Sequence, residues 1–145
     1  MIADLSADEA KMVSRSLAKY RAAVSNIESL ADEKARLETV ITSLSVGSGG
    51  GGSGVGQDKI GSAVSRLVDL VDRIDRDVVD YIKTRDEVRR IIRRVSDVNP
   101  IYGQDLHYRY IDGRSAFATA NDMGFSSRQE RRVHAAALSV AFKYL

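Results

Sequence analysis

Apolar residues between Ile60 and Val95 recur at alternating steps of four and three. Ile60, Val64, Leu67, Val71, Ile74, Val78, Tyr81, Arg85, Val88, Ile92 and Val95 keep this spacing without a slip, and only Arg85 breaks the apolar character. A 3.5-residue repeat sustained over this length predicts a coiled-coil helix. Between the seam positions the chain is charged with both signs (Asp69, Asp72, Arg73, Asp75, Arg76, Asp77), which marks a solvated face. Asp58 stands where a cap would start this helix. Asn99-Pro100 stops it, because proline disfavours helical geometry in the residue before it.

The N-terminal segment carries a weaker form of the same pattern. Val13, Leu17, Tyr20, Val24 and Ile27 make one run; Leu30, Leu37, Ile41 and Leu44 make another, with Lys34 on the seam and a three-residue phase step between the runs. Ser6 followed by Glu9 is a capping-box signature and puts the helix start near Ser6. At the helical rise per residue the two segments would span roughly 48 Å and roughly 54 Å. Matched lengths predict an antiparallel hairpin. Two helices alone leave the far side of each seam uncovered, so self-association through the hairpin is expected.

Seven of the eleven glycines lie between the two patterns, in Val46-Gly47-Ser48-Gly49-Gly50-Gly51-Gly52-Ser53-Gly54-Val55-Gly56. Residues 46–57 are expected to be a flexible linker, natural or engineered, since glycine loses most entropy on ordering and nothing here can pack. A phosphate-cradling loop would need a strand–loop–helix setting and a Lys-Ser/Thr end, and neither is present.

After Asn99 the texture changes. Tyr102, Tyr108, Tyr110, Phe117, Phe125, Phe142 and Tyr144 cluster, and turn residues become frequent. Asn99 caps a helix with Pro100 at its first position, running through Leu106 and Tyr110 to end by Gly113. Ser115 opens a short helix that ends at Gly124, a position suited to a left-handed cap. Phe125 follows as an apolar plug. Ser126 with Gln129, or Ser127 with Glu130 in the next register, opens the last helix, whose apolar face is Val133, Ala137 and Val140 or Ala141. A short helix, a glycine turn and a second helix that opens on polar residues is the grammar of a helix-turn-helix, with Ala120 small enough for close crossing. The expected fold is therefore all-α: a helical hairpin over 1–98 and a small helix-turn-helix head over 99–145.

Charge adds little at the level of the whole chain. Twenty-two basic and twenty acidic residues nearly cancel, so only placement can argue for nucleic acid. Arg128, Arg131 and Arg132, with Ser127, Gln129 and His134, fall on the opening turns of the last helix. Arginine suits the two acceptors of guanine and glutamine the donor–acceptor edge of adenine. Arginines at a helix N-terminus run against the dipole, which favours a functional reason over a plain exposed helix end. Arg89, Arg90, Arg93 and Arg94, and Arg114 in the head, are candidates for phosphate or partner contacts. For the first four, stabilisation of a helix end by cations is the simpler reading.

The stretches Leu106-His107-Tyr108-Arg109-Tyr110-Ile111-Asp112-Gly113-Arg114-Ser115, Ala120-Asn121-Asp122-Met123-Gly124-Phe125-Ser126-Ser127-Arg128-Gln129, Val133-His134 and Ala137-Leu138 resemble the promoter-reading C-terminal module of bacterial sigma factors. With the helix from Ile60 onward, they resemble more closely the small phage-encoded regulators of the ArpU type. The resemblance implies control of phage genes, late genes among them, and puts Ser127, Arg128, Arg131 and Arg132 on DNA-contacting positions. Glu130 and Thr119 depart from the family pattern, where both positions are usually apolar. Either the head packs less tightly, or Glu130 serves as a cap and pairs with His134.

The chain holds no cysteine and only His107 and His134 as histidines, so no metal, no cofactor and no catalytic constellation is expected, and the chain is not read as an enzyme. Met1-Ile2-Ala3-Asp4-Leu5 lacks the form of a signal peptide, and no apolar run approaches a membrane span. The expected setting is the cytoplasm of a bacterial host, with double-stranded DNA and RNA polymerase as partners. Two alternatives use the same head: a coiled-coil interaction protein binding polymerase or another regulator instead of DNA, and a DNA-recognition subunit of phage packaging.

Overall fold

The computed structural model describes residues 5–47 and 54–145. The fold is all-helical, with no strand among the described residues: α1 (Ala7–Gly47), α2 (Gly54–Val98), α3 (Pro100–Leu106), α4 (Ala116–Met123) and α5 (Ser127–Phe142). α3 continues without a break into a π-helical turn, His107–Ile111, so the single regular helix expected from Pro100 to Gly113 is widened by one residue at this point. The Asp112 amide closes the wide turn on the His107 carbonyl at 3.0 Å.

The local stops and starts are the expected ones. Ser6 and Glu9 exchange side chain-to-backbone hydrogen bonds at 3.2 and 3.1 Å, a complete capping box. Asn99 is extended, and its side chain accepts from the Ile101 amide at 2.9 Å ahead of Pro100. One boundary differs. α2 begins at Gly54, so Asp58 lies inside the helix and does not cap it. The linker expected over 46–57 is correspondingly shorter: α1 reaches Gly47 and α2 resumes at Gly54, while 48–53 lie outside the described residues. The apolar demand of Ile60, Ala63 and Leu67 extends the helix upstream, past glycines that are poor helix formers on their own.

The chain divides into two compact units, Ala23–Tyr81 and Met1–Ala22 with Ile82–Leu145, whereas the sequence pattern put the division at residues 98 and 99. In the first unit α1 and α2 pair antiparallel. Asn26 donates to Asp77 at 2.8 Å, and Leu37, Val40 and Leu44 share one groove with Ala63, Arg66 and Leu70. The buried apolar residues there are Leu30, Ala63 and Leu70. The seam of α2 is thus displaced on one side. Leu67, Val71, Ile74 and Val78 hold their expected half-buried places, but Ala63 and Leu70 beside them are the buried residues, and Val64 is 42 % exposed. The apolar stripe is wide enough for either column, and one partner helix covers only one edge of it. Arg85, on the same expected column as Val64, pairs at 3.3 Å with its neighbour Asp86.

In the second unit the core joins Val13, Leu17 and Tyr20 of α1 to Val88, Ile91, Ile92 and Val95 of α2. Leu106, Tyr110, Ile111, Ala120, Ala137, Leu138, Val140 and Ala141 complete it. The helix-turn-helix packs on the opening of α1 and the end of α2, and this extra surface is what lets a head of short helices bury a core.

Candidate nucleic-acid interface

α4 and α5 are joined by a tight turn that the sequence dictates residue by residue. The Ser115 hydroxyl accepts from the Ala118 amide at 3.1 Å and opens α4. Gly124 closes it at φ 70°, a left-handed cap that an L side chain rarely adopts. The Phe125 amide reaches back to the Ala120 carbonyl at 2.8 Å. Ser126 and Gln129 then form a capping box at 3.2 and 2.9 Å, so of the two overlapping registers the first is used. Ala120 is buried where α4 meets α5, as its size requires.

The 3.6-residue period divides α5 into two faces. Ser127, Arg128, Gln129, Arg131 and Arg132 are exposed. Arg128, Arg131 and Arg132 form no ion pair among the described residues, although they stand on the turns of α5 where the dipole disfavours cations. Gln129 is less free than expected. Its carbonyl oxygen accepts from the Ser126 amide at 2.9 Å, which leaves its amide group as the part able to read an acceptor.

His134 is not part of this surface. Its side chain is 15 % exposed, and Nδ1 lies 2.8 Å from Oδ2 of Asp105. Nε2 lies 3.4 Å from the Tyr110 hydroxyl, and the two rings stack with centroids 5.9 Å apart. Position 134 falls on the inward face of α5, one turn before Leu138, which removes it from the expected DNA-binding set. Glu130 faces inward as well. It neither caps α5 nor pairs with His134 as a main partner; Arg109 from the π-helical turn donates to its Oε1 at 2.8 Å. Burial pushes the Glu130 carboxyl above the usual range, the Asp105 carboxyl beside it pushes the same way, and Arg109 and His134 pull it back. Tyr110, hydrogen-bonded to Ser14 at 3.1 Å, is also raised, first by burial.

A buried polar network therefore runs from α1 through the π-helical turn and α3 to α5: Ser14, Tyr110, His134, Asp105, Glu130, Arg109. Sequence reading missed Asp105 and Arg109. A signal existed in the position of Asp105 beside Leu106 and four residues before Arg109, an acid on the inward side of an amphipathic turn. Asp105, Glu130 and His134 bring donor atoms within 4.8 Å of one another, and these are residue types that metals accept. The guanidinium already seated on Glu130 supplies the counter-charge a cation would bring, so the arrangement suits an ion-paired core better than a metal centre.

The second group of basic residues behaves unevenly. Arg89, Arg90, Arg93 and Arg94 are exposed on α2, and the Arg94 guanidinium lies 5.9 Å from the centre of the Tyr144 ring. Arg114 is committed within the head: it forms an ion pair with Asp122 and lies 4.8 Å over the Tyr108 ring. His107 stays exposed, 3.6 Å from Asp112. Phe117, on the first turn of α4, is 70 % exposed. No helix among the described residues is long and apolar enough to cross a membrane. Comparison with protein-family models, with curated proteins and with solved structures finds no match for this chain.

Proposed function

We propose that this chain is a sequence-specific DNA-binding regulator of transcription, without enzymatic activity, that acts in the cytoplasm of a bacterial host. α4 and α5 form the reading unit, and the exposed opening of α5 enters the major groove. One observation carries the reading: Arg128, Arg131 and Arg132 are exposed on one face of the opening two turns of α5, without ion-pair partners among the described residues, and Arg128 stands in the first turn, where the dipole opposes a cation. An anionic partner would relieve that opposition. Gln129 contributes its amide group, and Ser127 a hydroxyl at the helix N-terminus, where phosphate oxygens are favoured. Arg89, Arg90, Arg93 and Arg94 are candidates for a second set of phosphate contacts.

The likeness of the head to ArpU-type phage regulators supports control of phage genes. Val64, Val68 and Val79, valines of α2 that α1 leaves exposed, support self-association through the hairpin. Selection of binding sites from random duplexes tests the assignment, comparing the full chain with an Arg128→Ala/Arg132→Ala double variant. A selected site bound by the parent and lost in the variant is the expected result. Equal binding by both would move the DNA surface away from α5. The alternative outcome is a head that docks on RNA polymerase or another regulator rather than on DNA. In that case the head would show no duplex affinity even at low salt.

A further inference from the structure

The buried network sets two acids, Asp105 and Glu130, against one permanent cation, Arg109, and one titratable base, His134. Asp105 is 0 % exposed and Glu130 is 3 % exposed, and their carboxyl groups lie side by side, with oxygens within 4.8 Å of each other. Arg109 occupies Oε1 of Glu130 at 2.8 Å, and His134 occupies Oδ2 of Asp105 at 2.8 Å. Oδ1 of Asp105 is buried without a hydrogen-bond partner among the described residues. Tyr110 adds a neutral hydroxyl, turned between Ser14 and His134. With both acids ionised and His134 neutral, one guanidinium faces two buried carboxylates, and a proton on His134 would leave Oδ1 of Asp105 still without a donor. Two like charges in such a place do not both ionise readily, and a buried acceptor without a donor is costly. One proton removes both difficulties: it cancels the excess charge and turns Glu130 into a donor toward the carboxyl group that still has a free oxygen.

We propose that Asp105 and Glu130 are held in the folded head as an acid pair with one shared proton, which makes the junction of α3 and α5 a pH-responsive lock under the arginine face of α5. The lock is a property of the folding of the head and holds whether or not α5 meets DNA. In the unfolded chain both carboxyls are hydrated and titrate in their ordinary range. The folded state binds the proton more tightly, because burial and the facing Asp105 raise Glu130. Stability is then greatest below the ordinary glutamate range and is lost as pH rises through the folded value. Loss of the proton leaves two carboxylates facing each other across α3 and α5, with Arg109 engaging only one of them.

The test is thermal unfolding of the full chain between about pH 5 and about pH 8 for the parent and for Glu130→Gln, whose amide copies the protonated acid. The parent is expected to lose stability with rising pH, its folding constant falling by at most about tenfold per pH unit over the titration. The variant is expected to stay level, and at the alkaline end to be at least as stable as the parent. A parallel fall in both proteins would overturn the proposal. Carboxyl carbon chemical shifts of the parent provide a readout that does not depend on the variant folding. A Glu130 signal titrating in the ordinary carboxylate range would also overturn it; a signal displaced upward supports it. Unfolding repeated with zinc chloride and with EDTA completes the test. No change supports the proton, whereas metal-dependent stabilisation that is absent from Glu130→Gln would put a cation in its place.

Discussion

Arg109 and Glu130, 21 residues apart, meet at 2.8 Å with the carboxylate almost fully buried, so the π-helical turn after α3 is tied to the fourth residue of α5 by a charge-assisted hydrogen bond. Removing one partner strands the other. Arg109→Ala is expected to destabilise the head by about 1–3 kcal/mol in chemical denaturation, because the buried Glu130 carboxyl loses its charged donor. Arg109→Met/Glu130→Leu, which removes both charges and keeps the volume, is expected to recover most of that loss. A double variant as unstable as the single one would mean that the pair is needed for more than charge balance.

Thr119 sits fully buried in α4, and its hydroxyl finds no partner among the described residues. Valine has the same shape without the oxygen. Thr119→Val is expected to stabilise the protein by about 1 kcal/mol, the cost of a buried hydroxyl left without a hydrogen bond. A higher denaturation midpoint at unchanged slope is the expected signature. A lower midpoint would reveal a hydrogen bond to this hydroxyl.

Gly103 is buried in α3 against Ser96 of α2, and a Cβ at this position would overlap the Ser96 side chain. Gly103→Ala therefore opposes helix propensity to sterics. Propensity favours alanine by about 1 kcal/mol, whereas overpacking costs about 1–3 kcal/mol. Net destabilisation is expected, reversed in the Gly103→Ala/Ser96→Gly double variant. Denaturation of the parent, the two single variants and the double variant measures the difference, and additive effects of the two substitutions would show that the positions do not touch.

Arginines that neutralise phosphate are separable from those engaged within the head by their salt dependence. Arg131→Ala is expected to lower the slope of log affinity against log salt by about 0.9, one phosphate's worth. Arg114 is held by Asp122 and Tyr108, so Arg114→Ala is expected to leave that slope unchanged. Equal slopes for all three proteins would remove Arg131 from the DNA surface.

Much of this architecture can be read from neighbouring residues alone. The capping boxes at Ser6–Glu9 and Ser126–Gln129, the Asn99-Pro100 stop, the Ser115 cap and the left-handed Gly124 are each written in a few adjacent positions. They recur in the fold because a helix end satisfies its free amides and carbonyls with groups close by. The arginine face of α5 was legible for the same reason, since helical period alone separates Arg128, Arg131 and Arg132 from Val133 and Ala137.

Packing between distant segments settled the rest. Ile60–Val95 offers two apolar columns, and periodicity does not tell which one α1 will cover; the choice of Ala63 and Leu70 over Val64 is made where the helices meet. His134 reads as a basic residue beside arginines until Asp105, 29 positions earlier, is brought against it. Glu130 reads as a cap until Arg109 reaches it from the π-helical turn. Hydrogen bonds within a helical turn depend on residues a few positions apart, whereas the fate of a buried charge depends on which remote partner the core delivers to it.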